Sequence, residues 1–195
     1  MSAGLGGLIL AGGAGRRFGG APKQLAELDG RPLLVHAIEA QWAVPALERI
    51  VVVLGAHAAQ IQAAIDFSGV EVVVAPDWAE GAAASLRAGV AALAGCRAII
   101  VTLGDEPLMT PQVIARLVDE RGPARASYDG VPGHPVKLTP TLMRRVTELG
   151  GDVGARELLR SARLVECGHL CRGDDVDTPE DLALVASRAR RGARA

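Results

Sequence analysis

The sequence predicts an α/β fold with a doubly wound, mostly parallel sheet. Short, continuous apolar runs recur along the first 120 residues, and each is followed by a segment whose apolar residues have helical spacing. Continuous apolar runs are typical of strands that are buried on both faces. Strands that alternate with helices favour a parallel sheet of the Rossmann-like type with right-handed connections.

Each element in the first half follows from its local pattern. The run 49–54 is rich in β-branched residues, which favour a strand, and Pro32 suits the first turn of a helix. An alanine-rich segment places Leu86, Val90 and Leu93 on one helical face. The predicted strands are 8–11, 49–54, 70–74 and 98–103, and the predicted helices are 31–42, 58–65, 80–93 and 111–120.

The pattern loosens in the second half, where frequent glycine and proline indicate irregular chain around short strands. Short helices are predicted from Thr139 onward and over 156–161. Residues 177–180 open a last helix with an Asp or Thr cap and a proline in its first turn. The basic tail, 188–195, is expected to be a frayed, solvated helix end. We predict a single domain over residues 1–195, because neither a repeat nor a long linker interrupts the chain.

Composition and charge exclude several classes of function. The net charge is −1 and aromatic residues make up 3% of the chain, which argues against a nucleic-acid or membrane-surface partner. No apolar run approaches the roughly 20 residues of a membrane-spanning helix. Three cysteines, Cys96, Cys167 and Cys171, are too few for a disulfide framework, and the arginines follow the N-terminal apolar run instead of preceding it. We therefore expect a cytoplasmic protein.

A glycine-rich loop after the first predicted strand organises the sequence. Residues 11–23 are dominated by glycine and carry three cations, Arg16, Arg17 and Lys23. Glycines let successive backbone N–H groups turn toward one anion, and cations supply countercharge for phosphate oxygens. The loop leaves the strand at its carboxyl end, where ligands of open parallel sheets bind. It therefore predicts a phosphate-binding site.

Two kinds of phosphate ligand are compatible with such a loop. A dinucleotide turn needs a third glycine in the Gly-x-Gly-x-x-Gly pattern and an acidic residue after the second strand. Here Phe18 occupies the third position, Pro22 would interrupt the following helix, and the second strand is followed by residues 55–57, which are Gly-Ala-His. The Walker pattern also fails, because Lys23 lies far from the glycines. The sequence favours a longer loop that wraps a nucleoside triphosphate.

Two carboxylate positions predict a metal site beside this loop. Asp105 follows an apolar strand and so reaches the same edge of the sheet. A second acidic cluster, 174–181, precedes the last predicted helix and also suits its N-terminus. Mg²⁺ takes carboxylate oxygens together with substrate phosphates. We predict Asp105 and Asp177 as its ligands, with Asp175 as the alternative to Asp177.

The motifs around these residues resemble those of the molybdenum cofactor cytidylyltransferase-like branch of the MobA-like NTP transferase family. The resemblance covers nearly the whole chain and rests on the segments 10–19, 22–23, 80–81, 85–89, 104–108, 133–136, 151–156 and 177–181. The first segment is similar to the family's nucleotide signature, while 133–136 and 151–156 are similar to the acceptor side of the branch. The resemblance implies a fold of the nucleotide-diphospho-sugar transferase type.

The resemblance also implies a reaction and the residues that perform it. An acceptor phosphate, such as that of molybdopterin, attacks the α-phosphorus of an NTP in a Mg²⁺-dependent step that releases pyrophosphate. The implied catalytic residues are Arg16, Lys23 and Asp105. The implied nucleotide-binding residues are Leu10, Ala11, Gly12, Gly13, Gly15, Arg16, Lys23, Gly81, Ser85 and Asp105, and those that face the acceptor are His134, Asp152 and Arg156. We expect Lys23 to be an exposed loop lysine whose loss lowers the rate more than the stability.

Three alternatives stay open at this point. Gly12-Gly13 replaces the Ala-Gly pair that is usual in the cytidylyltransferase branch and is closer to the pattern of the guanylyltransferase relatives, so GTP is an alternative donor. CTP is favoured because the acceptor-side segments 133–136 and 151–156 are similar to the cytidylyltransferase branch. Relatives of this kind include an NAD(P)H-dependent reductase of the nicotine blue type, and a non-catalytic nucleotide-binding protein is a further alternative. The expected partners are an NTP, a small phosphorylated acceptor and, transiently, a cofactor-receiving enzyme. Neither nucleic acid nor a membrane is expected.

Overall fold

The computed structural model describes residues 4–147 and 158–192. Within them, seven strands form the main sheet and two short strands form a separate hairpin. The strands are β1 (Leu5–Ala11), β2 (Glu27–Leu28), β3 (Arg31–Pro32), β4 (Leu47–Leu54), β5 (Glu71–Val74), β6 (Ala98–Leu103), β7 (Ala124–Tyr128), β8 (Val131–Leu138) and β9 (Arg163–Glu166). The helices are α1 (Leu33–Trp42), α2 (Ala58–Ala64), α3 (Ala82–Ala92), α4 (Pro111–Val118), α5 (Pro140–Val146) and α6 (Pro179–Gly192).

The main sheet has the strand order β5-β4-β1-β6-β8-β7-β9. β1 pairs in parallel with β4 and β6, and β4 pairs in parallel with β5. β8 runs antiparallel to both of its neighbours, and β9 is parallel to β7. The predicted doubly wound, mostly parallel α/β sheet is therefore confirmed. Because β1, β4 and β6 are parallel, the loops that follow them meet at one edge of the sheet.

Successive residues of β1 face opposite sides of the sheet, as the pleat of a strand requires. Leu8 belongs to a buried cluster with Leu86 of α3, whereas Ile9 belongs to a second cluster with Leu34 of α1 and Ile114 of α4. Helices α1, α2 and α4 thus cover one face, and α3 and α5 cover the other. Burial on both faces explains why the central strands are continuous apolar runs in the sequence.

β1 begins at Leu5, earlier than predicted, because two glycines are part of the strand. A Cβ on Gly7 would lie 2.0 Å from Oε1 of Gln41. Gln41 is fully buried, and its Nε2 donates to Thr102 Oγ1 at 2.8 Å and to Leu8 O at 3.2 Å. Glycine at this position makes room for the buried amide.

Two predicted helices start later in the structure. The helix predicted from residue 31 begins two residues further on, because β3 occupies those positions. Asp29 and Gly30 have φ values of 50° and 75° and turn β2 back onto β3. α3 is likewise shortened at its start, because Gly81, with φ 118°, ends a 3-10 turn over Trp78–Glu80. The other boundaries in this half differ from the predictions by at most two residues.

The prediction of irregular chain in the second half is wrong in part, because β7 and β8 extend the main sheet. β8 is eight residues long although it contains Pro132 and Pro135. Both prolines lie outside the three residues that pair with β6, Val136, Lys137 and Leu138, so they remove no hydrogen bond from that ladder. The start of the helix predicted over 156–161 lies outside the described residues.

α6 begins where it was predicted, with a reciprocal cap. Thr178 Oγ1 accepts a hydrogen bond from Asp181 N at 3.2 Å, and Asp181 Oδ2 accepts one from Thr178 N at 2.8 Å. Near the other end of α6, Arg188 Nη1 lies 2.5 Å from Asp174 Oδ1. Among the described helices, none combines the length and the apolar character that crossing a bilayer requires.

Candidate active site

The glycine-rich loop leaves β1 at the edge of the sheet where its parallel neighbours also end. Gly15 and Gly19 flank a 3-10 turn with φ values of 60° and 72°, which side chains other than glycine rarely adopt. Gln24 is 2% exposed, and its Nε2 donates to Ala11 O at 2.8 Å and to Gly13 O at 3.3 Å. This amide ties the end of the loop to its beginning, so the loop has a defined shape.

A cleft of about 480 Å³, the main cleft, lies against this loop. One wall comes from the loop and the end of β6, and the other comes from the 3-10 turn before α3 and the first residues of α3. The lining residues are Leu10, Gly12, Gly13, Ala14, Gly15, Arg16, Trp78, Ala79, Gly81, Ala82, Ser85, Leu103 and Asp105. A smaller pocket of about 70 Å³ adjoins it and is lined by Leu10, Ala11, Gly13, Lys23, Gln24, Gly104 and Asp105.

Lys23 lies between the two carboxylates predicted to bind metal. Its Nζ is within ion-pair distance of Asp105 Oδ2 and 2.8 Å from Asp177 Oδ1. Arg17 Nη2 lies 2.6 Å from the other oxygen of Asp177, Oδ2. Lys23 is only 8% exposed, so the expectation of an exposed loop lysine is wrong. The 3-10 turn that begins at Lys23 carries its side chain inward, where the two carboxylates offset the loss of hydration.

The charges in this cluster depend on one another. Burial by itself lowers the pKa of Lys23, but Asp105 and Asp177 outweigh it and raise this pKa above its usual value. Burial also raises the pKa of Asp105, and the Lys23 ammonium opposes that shift. Lys23 is therefore a charged ammonium at neutral pH, and its charge holds two neighbouring carboxylates together.

Asp105 also fits a divalent cation. Its Oδ2 pairs with Lys23, whereas its Oδ1 is buried and has no hydrogen-bond partner among the described residues. An orphaned carboxylate oxygen is a suitable ligand for a hard cation. Within residues 4–147 and 158–192, no three His, Cys, Asp or Glu side chains form a complete metal site. The remaining ligands of a bound cation would be substrate phosphates and water.

The two candidates for the second carboxylate ligand differ in position. Asp177 shares the Lys23 ammonium with Asp105. Asp175 is exposed, and its charge contributes to the raised pKa of Asp105. Between these two residues, Val176 is fully buried and its N–H donates to Asp105 O at 2.9 Å. That hydrogen bond ties the segment before α6 to the end of β6, and the geometry favours Asp177.

Close packing shapes the uncharged wall of the main cleft. A Cβ on Gly12 would lie 2.6 Å from Ser85 Oγ. A Cβ on Gly55 would lie 2.5 Å from Gly12 O and 2.6 Å from Trp78 Cβ. By contrast, a Cβ on Gly13 would meet nothing within 4 Å. Gly12 is the position where the chain departs from the usual cytidylyltransferase pattern. The close approach of Ser85 Oγ gives a local reason for a glycine there.

His134 on β8 lies beside Glu106, the residue that follows Asp105. Its Nδ1 is 3.7 Å from Glu106 Oε1. Burial and the charge of Arg125 lower the pKa of His134 to about 4, while burial raises the pKa of Glu106 well above its usual value. Both shifts favour the uncharged forms, so this is a polar contact and not an ion pair. Tyr128 OH donates to the backbone oxygen of His134 at 2.5 Å and so helps to position it.

The surroundings of His134 are otherwise apolar. It lines a small pocket of about 40 Å³ together with leucine and valine side chains, and Leu10 lines both this pocket and the main cleft. Oε2 of Glu106 is buried without a hydrogen-bond partner in the described part of the chain. The predicted acceptor side thus lies across Leu10 from the main cleft.

The structure brings most of the predicted site residues together. Leu10, Gly12, Gly13, Gly15, Arg16, Gly81, Ser85 and Asp105 line the main cleft, and Ala11 and Lys23 line the pocket that adjoins it. Asp177 joins them through its ion pair with Lys23. His134 lies on the neighbouring side. The other two predicted acceptor residues, Asp152 and Arg156, lie outside the described residues.

Sequence reasoning missed three residues of this region, Gln24, Glu106 and Trp78. The first two each follow directly after a residue of the predicted site, and that adjacency was the available signal. Trp78 is one of two tryptophans in the chain, and it lines the main cleft. Its signal was its place just before Glu80-Gly81, in a chain with few aromatic residues.

The geometry around β1 differs from that of a dinucleotide-binding turn. The loop continues through two 3-10 turns and the β2–β3 hairpin before α1 begins at Leu33. A dinucleotide fingerprint instead opens directly into a helix, whose N-terminus faces the pyrophosphate. β4 is followed by Gly55, Ala56 and His57, so no carboxylate stands where a dinucleotide-binding fold places the one that binds the ribose.

A model of the MobA-like NTP transferase domain matches residues 7–167 of this chain. The chain is 34% identical over 191 residues to nicotine blue oxidoreductase from Paenarthrobacter nicotinovorans, covering 90% of this chain and 93% of that protein. It is 37% identical over 120 residues to 2-C-methyl-D-erythritol 4-phosphate cytidylyltransferase from Ralstonia nicotianae, covering 57% of this chain and 47% of that enzyme. The second match thus spans about half of the relative.

Solved structures share the fold over nearly the whole chain. Rv0371c from Mycobacterium tuberculosis H37Rv, in complex with manganese, has a TM-score of 0.80 and 27% identity and covers 95% of this chain and 99% of that one. A nucleotidyl transferase from Methanothermobacter thermautotroptrophicus has a TM-score of 0.81 and 22% identity, covering 96% and 98%. The latter identity is low enough that its likeness concerns the fold alone.

Proposed function

The chain belongs to the MobA-like NTP transferase family, and on that premise we propose that it transfers a cytidylyl group from CTP to a small phosphorylated acceptor. The observation that carries this proposal is the contact of Lys23 with both Asp105 and Asp177 beside the main cleft. Cations and carboxylates at the end of a glycine-rich loop are what a triphosphate and its metal ion need.

In the proposed reaction, an oxygen of the acceptor phosphate forms a bond to the α-phosphorus of the NTP. The bond from that phosphorus to the bridging oxygen breaks, and pyrophosphate leaves with the electron pair. Nucleophile and leaving group are both anionic, so catalysis consists of alignment and charge neutralisation. Arg16 and Lys23 supply positive charge to the phosphates, and backbone N–H groups of the glycine-rich loop orient them.

Mg²⁺ is the proposed cofactor, with Asp105 and Asp177 as its protein ligands. When bound, the ion would supply countercharge to the phosphate oxygens. The orphaned Oδ1 of Asp105 supports this assignment. So does the manganese complex of Rv0371c, a related protein of the same fold.

The proposed acceptor is a pterin cofactor of the molybdopterin type. His134 would face it, with Asp152 and Arg156 as further contacts. Support comes from the place of His134 on β8, where an apolar pocket adjoins the main cleft across Leu10.

The test is a screen for pyrophosphate release. Purified protein is mixed with CTP, GTP, ATP or UTP and Mg²⁺ or Mn²⁺, with and without molybdopterin. We expect release that requires the metal, the pterin and CTP, and GTP is the alternative donor that the same screen compares. The Asp105→Ala protein serves as the inactive control. No release with any NTP would contradict the proposal.

A second candidate is an NAD(P)H-dependent reductase, which the 34% identity to nicotine blue oxidoreductase favours. The thermal stability of the protein with each ligand separates the two, because a ligand that binds only the folded state raises the melting temperature. Stabilisation by CTP or GTP with Mg²⁺ supports the transferase, and stabilisation by NADH or NADPH supports the reductase. Stabilisation by an NTP without pyrophosphate release would indicate a non-catalytic nucleotide-binding protein.

A further inference from the structure

The two walls of the main cleft differ in charge. The wall formed by the loop and β6 carries Arg16 and Asp105, and Lys23 lies in the pocket beside it. The opposite wall, contributed by residues 78–85, lines the cleft with Trp78, two alanines, a glycine and Ser85. A nucleoside triphosphate has the same asymmetry, because its phosphates are polyanionic and its base is flat and uncharged.

Trp78 is held firmly at the uncharged wall. Gly55 lies so close that a Cβ there would be 2.6 Å from Trp78 Cβ. The turn around Trp78 is closed by two hydrogen bonds, from Trp78 N to Ala75 O at 3.4 Å and from Gly81 N to Trp78 O at 3.2 Å. The side chain is half-buried and packs against the core cluster that contains Leu86. An indole that is packed on one side and lines a cleft on the other loses little freedom when a ligand binds.

We propose that the nucleobase of the donor stacks on the indole of Trp78 while the triphosphate lies toward Arg16 and Lys23. This inference rests on the proposed function and adds the residue that contacts the base. Stacking on an aromatic ring accepts any base, since every base has a π face. Trp78 therefore supplies affinity for the nucleoside part of the donor, whichever base it carries.

The intrinsic fluorescence of the protein tests this contact, because the chain contains two tryptophans. Trp42, the other one, ends α1, is 57% exposed and packs beside Gly69, so it is the matched control. Emission comes from Trp78 alone in Trp42→Phe and from Trp42 alone in Trp78→Phe. CTP or GTP with Mg²⁺ should quench Trp42→Phe and leave Trp78→Phe unchanged. Inorganic tripolyphosphate, which has no base, should quench neither protein.

Calorimetric titration gives the matching affinities. Trp78→Ala should weaken CTP binding about tenfold to a hundredfold, in line with base–aromatic stacking, and leave tripolyphosphate binding unchanged. Trp78→Phe keeps an aromatic ring and should retain most of the affinity. Should the alanine variant fail to fold, the fluorescence of Trp42→Phe, with Trp78→Phe as its control, still decides the question.

The outcomes separate this inference from the proposed function. If CTP and GTP bind the unmodified protein but leave the emission of Trp42→Phe unchanged, the stacking role is overturned while the transferase proposal stands. Equal CTP affinity in Trp78→Ala and the unmodified protein has the same meaning. If neither CTP nor GTP binds the unmodified protein, both proposals fail together.

Discussion

Lys23 Nζ lies 2.8 Å from Asp177 Oδ1, across 154 positions of the sequence. Since Lys23 also pairs with Asp105, the loop after β1, the end of β6 and the segment before α6 meet at one ammonium group. This contact links the charge of the site to the stability of the fold. It also decides what substitutions in the cluster will do.

Lys23→Met is expected to lower turnover by about 100- to 1000-fold, as loss of a single transition-state donor does in other enzymes. It should also lower the melting temperature, because the buried Asp105 carboxylate loses its partner. Mg²⁺ should then raise the melting temperature of the variant more than that of the unmodified protein, because the cation no longer competes with an ammonium. Pyrophosphate release and thermal denaturation with and without Mg²⁺ measure these effects.

Lys137→Met is the matched control, because Lys137 is a buried lysine that lines neither the main cleft nor the pocket beside it. Lys137 is 5% exposed, and its Nζ donates to Val118 O at 2.6 Å and to Glu120 O, at the end of α4. Its loss should reduce stability and leave the turnover of the folded protein unchanged. Equal losses of turnover in the two variants would contradict the role assigned to Lys23.

Three single substitutions test the metal ligands. Asp105→Asn and Asp177→Asn should abolish metal-dependent pyrophosphate release in a protein that remains folded. Asp175→Asn should retain it, because Asp175 is exposed and does not share Lys23. Manganese affinity from electron paramagnetic resonance is an independent measurement. If Asp175→Asn binds manganese weakly and Asp177→Asn does not, the second metal ligand is Asp175 and not Asp177.

Gly12→Ala should reduce both stability and CTP affinity, because its Cβ would lie 2.6 Å from Ser85 Oγ. Ser85→Ala removes that oxygen and leaves Ser85 Cβ at an ordinary 3.6 Å from the new methyl group. The double variant should therefore recover most of the melting temperature that Gly12→Ala loses. Additive losses in the double-mutant cycle would show that the contact with Ser85 is not the cause.

Tyr128→Phe tests how the acceptor side is positioned. The hydroxyl donates to His134 O, and the ring packs against Gly133 and Gly173, since a Cβ on either glycine would lie within 3 Å of it. Removing the hydroxyl should destabilise the fold by about 1 kcal/mol. The KM for the acceptor should rise several-fold while the KM for CTP stays unchanged. Equal effects on both constants would indicate a purely structural role.

The hydrogen bonds of Glu166 predict that the fold loses stability in acid. Its carboxylate accepts hydrogen bonds from Ser127 Oγ at 2.8 Å and from the N–H groups of Gly168, Asp129 and Gly130 at 2.9, 3.1 and 3.3 Å. These hydrogen bonds lower the pKa of Glu166 from 4.5 to about 2. Those from Gly168 and Ser127 contribute most, and those from Asp129 and Gly130 contribute less. The folded state therefore binds this proton less readily than the unfolded state. The stabilisation is complete above pH 4.5 and is lost as the pH falls toward 2.

Denaturant unfolding from pH 7 to pH 2.5 checks this expectation. Glu166→Gln should be less stable than the unmodified protein at pH 7, and the difference should shrink as the pH falls. Glu27→Gln removes the same charge from an exposed position on β2 and serves as the control. A difference between Glu166→Gln and the unmodified protein that does not change with pH would contradict the assigned hydrogen bonds.

Local sequence patterns were sufficient for the sheet of the first half and for the position of the loop. Apolar periodicity and turn residues act over a few positions, so strands such as 98–103 are recognisable without knowledge of their neighbours. The same holds for Asp105 at a strand end and for the cap at Thr178 and Asp181. The second half was harder because β8 contains two prolines, which obscure the pattern of a strand.

The sequence by itself determined the α/β class and the position of the glycine-rich loop, and it favoured a triphosphate over a dinucleotide as the ligand. Only the tertiary structure decided that Lys23 is buried between Asp105 and Asp177 and that Trp78 lines the cleft opposite the charges. It also decided that a Cβ at Gly12 would meet Ser85 Oγ. These are contacts between segments that are distant in the chain, and they depend on how helices and strands pack. No local pattern of residues encodes such packing, because side-chain contacts form only after the sheet brings the strand ends together.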